Sequence, residues 1–177
     1  MCYIISILLW PTRKSMLSNS RAAYNEHDHD RCISAAIERA RTVCHSQSVK
    51  MTPIREAVLK LIWQNHKPLG AYDIVDQLPQ ILGKRVLAPT VYRAIDFLLA
   101  QGLIHRIASL NAFIGCPFPG SDHSDLFLIC RNCKTAAECS ADNVNSAIAA
   151  TADKNGFAMD SQSVEVLGLC PKCQSLS

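Results

Sequence analysis

The chain has 177 residues, 49% of them apolar and 19% charged, which excludes wholesale disorder and leaves room for two small domains. The net charge of +3 is unevenly divided: residues 31–115 carry 11 Lys/Arg against 5 Asp/Glu, whereas residues 116–177 carry 4 against 7. That asymmetry assigns any contact with a polyanion to the first half.

Residues 1–30 show no sustained hydrophobic period and read as a flexible tail. The apolar run Tyr3–Trp10 lacks a preceding positive charge and is too short to span a bilayer, so it is expected to be a disordered extension and not a signal peptide. Met16 is a candidate start, and the expected setting is the cytoplasm, with no membrane contact. The polar run Asn25–Asp30 holds His27 and His29 among three acids, which reads as solvated chain and less readily as a metal site.

A first helix follows from Ile33, Ile37, Ala40, Val43 and Cys44. Thr52-Pro53 signals a helix start, and Ile54, Val58, Leu61 and Ile62 form one apolar face ending near Asn65. Pro68-Leu69-Gly70 reads as a turn. A third helix turns Ile74, Val75 and Leu78 inward, with Pro79 disturbing its end. Pro89-Thr90 opens a fourth helix, stopped by Gly102. The period then changes from 3.6 to 2, and Leu103–Ala108 with Ala112–Cys116 predicts a β-hairpin. Helices followed by such a hairpin make a winged helix-turn-helix, in which the helix before the hairpin enters the major groove.

Pro117-Phe118-Pro119-Gly120 reads as a linker. Beyond it, strands at Asp125–Ile129 and Thr135–Cys139 flank a knuckle, a weak helix spans Val144–Lys154, and a β-rich stretch ends at Cys170. The expected fold is therefore α+β: tail 1–30, winged-helix domain 31–116, hinge 117–122 and a small α/β dimerisation domain 123–177.

Four of the nine cysteines form two Cys-x-x-Cys pairs, Cys130/Cys133 and Cys170/Cys173. Each pair offers two thiolates from one tight turn, so together they fill the tetrahedron of a structural zinc. A module of about 60 residues needs such a staple. A second set, His105, Cys116, His123 and Glu138, brackets the hinge, with Asp125 and Cys139 as spare candidates. Taken alone this is a weak signal, because a lone His in a strand is more often a surface or satisfied core residue than a ligand.

Met51-Thr52-Pro53-Ile54-Arg55, Ala71-Tyr72-Asp73, Pro89-Thr90-Val91-Tyr92-Arg93-Ala94 and the paired Cys-x-x-Cys stand in the order seen in the ferric uptake regulator family. The chain resembles that family over residues 33–175, and within it the zinc uptake regulator branch. The resemblance implies a cytoplasmic homodimeric repressor, not an enzyme, that binds palindromic double-stranded DNA and takes no small-molecule substrate. It implies a sensing zinc on His105, Cys116, His123 and Glu138 besides the four-cysteine zinc, hence two Zn2+ per chain, and DNA contacts from Tyr72, Thr90, Tyr92 and Arg93. An iron- or peroxide-responsive regulator of the same family is the alternative. The dense His-His-Asp-His run of those branches is replaced here by Ser121-Asp122-His123-Ser124-Asp125, and a thiolate suits zinc better than iron(II). Lys50, Arg55, Lys84 and Arg85 are candidate phosphate contacts.

Overall fold

The computed structural model describes residues 23–24, 28–64, 66–120 and 125–176. The run Tyr3–Trp10, Met16, His27 and the candidate ligand His123 lie outside those residues.

Helix α1 (His29–Ser46) starts within the span expected to be tail, because Asp28 accepts the Arg31 N–H at 3.2 Å and caps it. Its inner stripe of Ala36, Ile37, Ala40, Val43 and Cys44 is buried. Thr52 caps α2 (Pro53–Trp63), with proline in the first turn as expected. Leu69–Gly70 is the short strand β1, paired with β3 through Leu69↔Phe113 and Gly70↔Ala112, not the turn predicted.

Helix α3 (Ala71–Leu82) runs one turn past Pro79 before Gly83, at φ 63, ends it. A proline this close to the terminus removes one hydrogen bond, and the buried Leu78 and the packed Leu82 hold the turn in place. Helix α4 (Ala88–Ala100) buries Val91, Ala94, Ile95 and Leu98 on one face. Strands β2 (Ile104–Ile107) and β3 (Ala112–Gly115) form the predicted hairpin, joined by a 3-10 turn at Ala108–Leu110 and by Asn111 at φ 46. The wing sheet is antiparallel in the order β1-β3-β2.

A second sheet, ordered β5-β4-β6, contains β4 (Asp125–Cys130), β5 (Ala136–Cys139) and β6 (Ser163–Gly168), with β4 and β6 parallel. Helix α5 (Asp142–Lys154) makes the crossover, and α6 (Pro171–Gln174) carries the last cysteine pair's loop. Ile107 and Ile114 of the wing form one buried cluster with Phe127, Ile129 and Ala136 of the second sheet. The Ala136 N–H donates to the His66 carbonyl at 2.9 Å, a further bond between the halves. Apolar packing across the boundary thus holds the wing against the second sheet.

Gly115 ends β3 against the indole of Trp63, and a Cβ there would overlap the ring. Trp63 is itself buried, so it cannot swing away freely. Gly115→Ala is expected to cost about 1–3 kcal/mol by overpacking, read as a lower urea midpoint. An unchanged midpoint would show that the contact relaxes.

Candidate metal centre and nucleic-acid face

β4 and the hydrogen bonds closing its knuckle place the first cysteine pair. Cys130 N–H donates to the Thr135 carbonyl at 2.9 Å, Lys134 N–H returns to the Cys130 carbonyl at 2.9 Å, and Lys134 takes φ 64. Arg131 N–H donates to the Gly168 carbonyl at 2.9 Å, which brings the end of β6, and so Cys170, alongside. The thiols of Cys130, Cys133, Cys170 and Cys173 consequently lie within 4.8 Å of one another. Cys170 N–H donates to the Cys130 sulfur and Asn132 Nδ2 to the Cys173 sulfur, each at 3.4 Å. The Cys170 amide lowers the Cys130 thiol pKa and the Thr135 side chain lowers that of Cys133, whereas burial pushes Cys173 up. Four soft donors, two of them with lowered thiol pKa, fit a tetrahedral zinc. None of the described cysteines forms a disulfide.

Tyr24, in the span expected to be tail, packs against this cluster and donates its hydroxyl to the Leu128 carbonyl. Burial raises its phenol pKa. Its pairing with residues more than a hundred positions away leaves no local signal in the sequence.

The second cluster joins the two sheets. His105 stands on β2, Cys116 follows β3 and Glu138 stands on β5, and one donor atom from each lies within 4.8 Å of the others. His105 Nε2 is 3.2 Å from Glu138 Oε2, and Phe118 N–H donates to the Cys116 sulfur at 3.4 Å. Glu138 is 4% exposed, the one charged side chain among the described residues that is fully buried. A buried carboxylate is costly without a counter-charge. With a buried thiol and a shielded imidazole beside it, the set suits a borderline-soft cation. Cys139 is not part of this group. Neighbouring strand positions face opposite sides, so Glu138 and Cys139 cannot both point into it. The side chain of Asp125 is not among those described.

The DNA candidates lie near the starts of two helices. Tyr72, 81% exposed, lies in the first turn of α3, and Thr90, Tyr92 and Arg93 lie in the first two turns of α4. Tyr92 and Arg93 are exposed and Thr90 is half-buried, while Val91 and Ala94 beside them are buried. Lys50, Lys84 and Arg85 are also exposed. Arg55 has partners within the domain: its guanidinium sits 3.5 Å above the Phe97 ring and donates to the Lys50 carbonyl.

A winged helix joined through a cluster of metal donors to a sheet module with a tetrathiolate site is the architecture of a metal-dependent transcription regulator. The chain belongs to the ferric uptake regulator family, whose model matches residues 46–167. It is similar to the zinc uptake regulation protein of Escherichia coli (strain K12), 35% identical over 138 residues, covering 77% of this chain and 80% of that protein. The zinc uptake regulation protein of Mycobacterium tuberculosis (strain ATCC 25618 / H37Rv) is 28% identical over 130 residues, covering 72% of this chain and 96% of its own. Among solved structures, holo XcZur is 39% identical with a TM-score of 0.73, covering 80% of this chain and 98% of that one. A zinc uptake regulator complexed with zinc and DNA is 32% identical with a TM-score of 0.76, covering 81% and 96%.

Proposed function

We propose that the protein is a zinc-responsive transcriptional repressor of zinc-uptake genes, working in the cytoplasm as a homodimer with two zinc ions per chain. One observation carries the reading: His105 and Cys116 of the wing converge with Glu138 of the second sheet within 4.8 Å. His123 completes the proposed ligand set, and Cys130, Cys133, Cys170 and Cys173 hold the structural ion. Zinc held at the second site by these residues would supply a redox-inert link between the domains. Two of its four proposed ligands belong to each side of the hinge, so filling them fixes the angle of the wing against the sheet.

In a dimer that angle sets the separation of two recognition helices, which must match half-sites about 34–36 Å apart. Helix α5 has no buried residue, and Val144, Phe157, Met159, Val166 and Leu167 are exposed around it and β6. An apolar face of this kind is a subunit interface. Arg93 and Tyr92 would read base edges, with Thr90 and Tyr72 positioning the reading head. A solved relative is a zinc uptake regulator complexed with zinc and DNA, which supports DNA binding by this chain. Iron or peroxide sensing is disfavoured because Cys116 brings a soft thiolate where iron(II) prefers oxygen and nitrogen.

The test is fluorescence anisotropy on a palindromic duplex from a zinc-import promoter across a buffered free-zinc series. Zinc is expected to tighten binding by about 5–150-fold. Arg93→Ala should lose about 1–3 kcal/mol of operator preference at every zinc level, with zinc content and dimerisation intact. DNA affinity indifferent to zinc would overturn the sensor reading.

A further inference from the structure

Strand β6 carries a carboxylate that reaches into the wing. Glu165 Oε1 accepts the Ala108 N–H at 2.6 Å and Oε2 the Ser109 N–H at 3.1 Å. These are the first two amides of the 3-10 turn between β2 and β3, and that turn has no side-chain cap of its own. Such amides take acceptors from side chains elsewhere or from water. Here the acceptor lies 56 and 57 residues further along the chain, on the other sheet.

The placement is informative. In the β4–β6 register Glu165 is level with Phe127, whose ring centroid lies 5.5 Å from that of His105. Phe127 also shares the buried cluster with Ile107 and Ile114 of the wing. Glu165 therefore touches the same wing as the metal donors while ligating nothing itself. Burial pushes its carboxyl pKa up, but the Ser109 and Ala108 hydrogen bonds outweigh that and leave it below the usual value. The wing turn holds the ionised form, whose hydrogen bonds are the stronger kind.

We propose that Glu165 is a metal-independent latch, a positioning residue that holds wing and second sheet in the arrangement where His105, Cys116 and Glu138 converge, and so sets the zinc level at which the sensing site fills. The inference rests on the sensing reading above. A ligand that binds one arrangement has an apparent affinity scaled by the fraction of protein already in it. Losing the latch lowers that fraction in the zinc-poor protein and moves the zinc midpoint. Saturating zinc restores the closed arrangement by mass action.

The experiment uses the full-length dimer with its tetrathiolate zinc in place. In Glu165→Ala, the free zinc giving half-maximal operator binding should rise about tenfold, with the plateau at saturating zinc retained. Hydrogen exchange without sensing-site zinc should show the Ala108 and Ser109 amides protected in the wild type and exposed in the variant. Ala108→Pro removes one donor from the other side, at the first position of a turn where proline fits. The double variant should shift the midpoint no further than Glu165→Ala alone, because both changes delete one interaction.

Equal amide exchange in wild type and Glu165→Ala overturns the latch itself. Exposed amides with an unmoved zinc midpoint, or additive midpoint shifts, overturn its control of the threshold. Failure of the zinc-sensing reading is visible separately, as wild-type DNA binding that ignores zinc, and the exchange measurement still decides whether the contact holds.

Discussion

Cys116→Ser is expected to abolish the zinc response of DNA binding while leaving the dimer and its tetrathiolate zinc intact. Cys116 is 2% exposed and sits between the end of β3 and the linker, where it is the soft donor of the second cluster. Serine has nearly the same shape, so packing around the site changes little. Its hydroxyl, unlike a thiol, does not ionise near neutral pH and is a poor zinc ligand. The wing then keeps only His105 of its two proposed ligands, and the two imidazoles and one carboxylate that remain hold zinc too weakly to tie the wing to the sheet. The whole zinc-dependent gain, about 5–150-fold in operator affinity, should disappear, and metal analysis should fall from two zinc per chain to one. Glu138→Gln should follow the same course, since the amide keeps the volume but removes the negative charge. A Cys116→Ser protein that still gained affinity with zinc would move the sensor to another site.

The helices were legible because their apolar spacing is local and strong, as with Ile54, Val58, Leu61 and Ile62 behind the Thr52 cap. The Cys-x-x-Cys pairs were legible as metal donors because two thiolates in one turn have few other uses in a chain of this kind. What stayed hidden was non-local. Two residues, Leu69 and Gly70, become a strand only because β3 lies beside them. The place of Arg55 over the Phe97 ring stayed hidden because that ring belongs to another helix. Glu165 is one acid in a half-exposed strand, and nothing near it in sequence announces the amides of Ala108 and Ser109. The second donor set falls between these cases. Residue type left His105, Cys116 and Glu138 open and the family resemblance singled them out, but only the docking of Ile107 and Ile114 on Phe127 brings them together.

Cys170→Ser should act on the fold and not on the sensor alone. The module from β4 to α6 covers residues 125–174, and α5 contributes no buried residue to a core of its own. Domains of this size depend on a staple or a partner. A tetrathiolate zinc contributes about 10–16 kcal/mol of apparent binding energy, as much as the whole stability of an ordinary domain. Four thiolates crowded within 4.8 Å also repel unless a cation lies among them. With Cys170 gone, the end of β6 and α6 lose their tether to the knuckle, and the exposed apolar face of α5 and β6 no longer has a fixed shape to offer a second copy. Cys170→Ser should therefore be monomeric by light scattering, cleaved by protease beyond the linker, and unable to bind the operator at any zinc concentration. The winged half should survive as a protected fragment, because α1 to α4, Leu103, Ile104 and Phe113 form a buried core of their own. The contrast with Cys116→Ser separates the two metal roles: one variant keeps the dimer and loses its response, the other loses the dimer. A Cys170→Ser protein that stayed dimeric and protease-resistant would show that the tetrathiolate ion is not part of the fold.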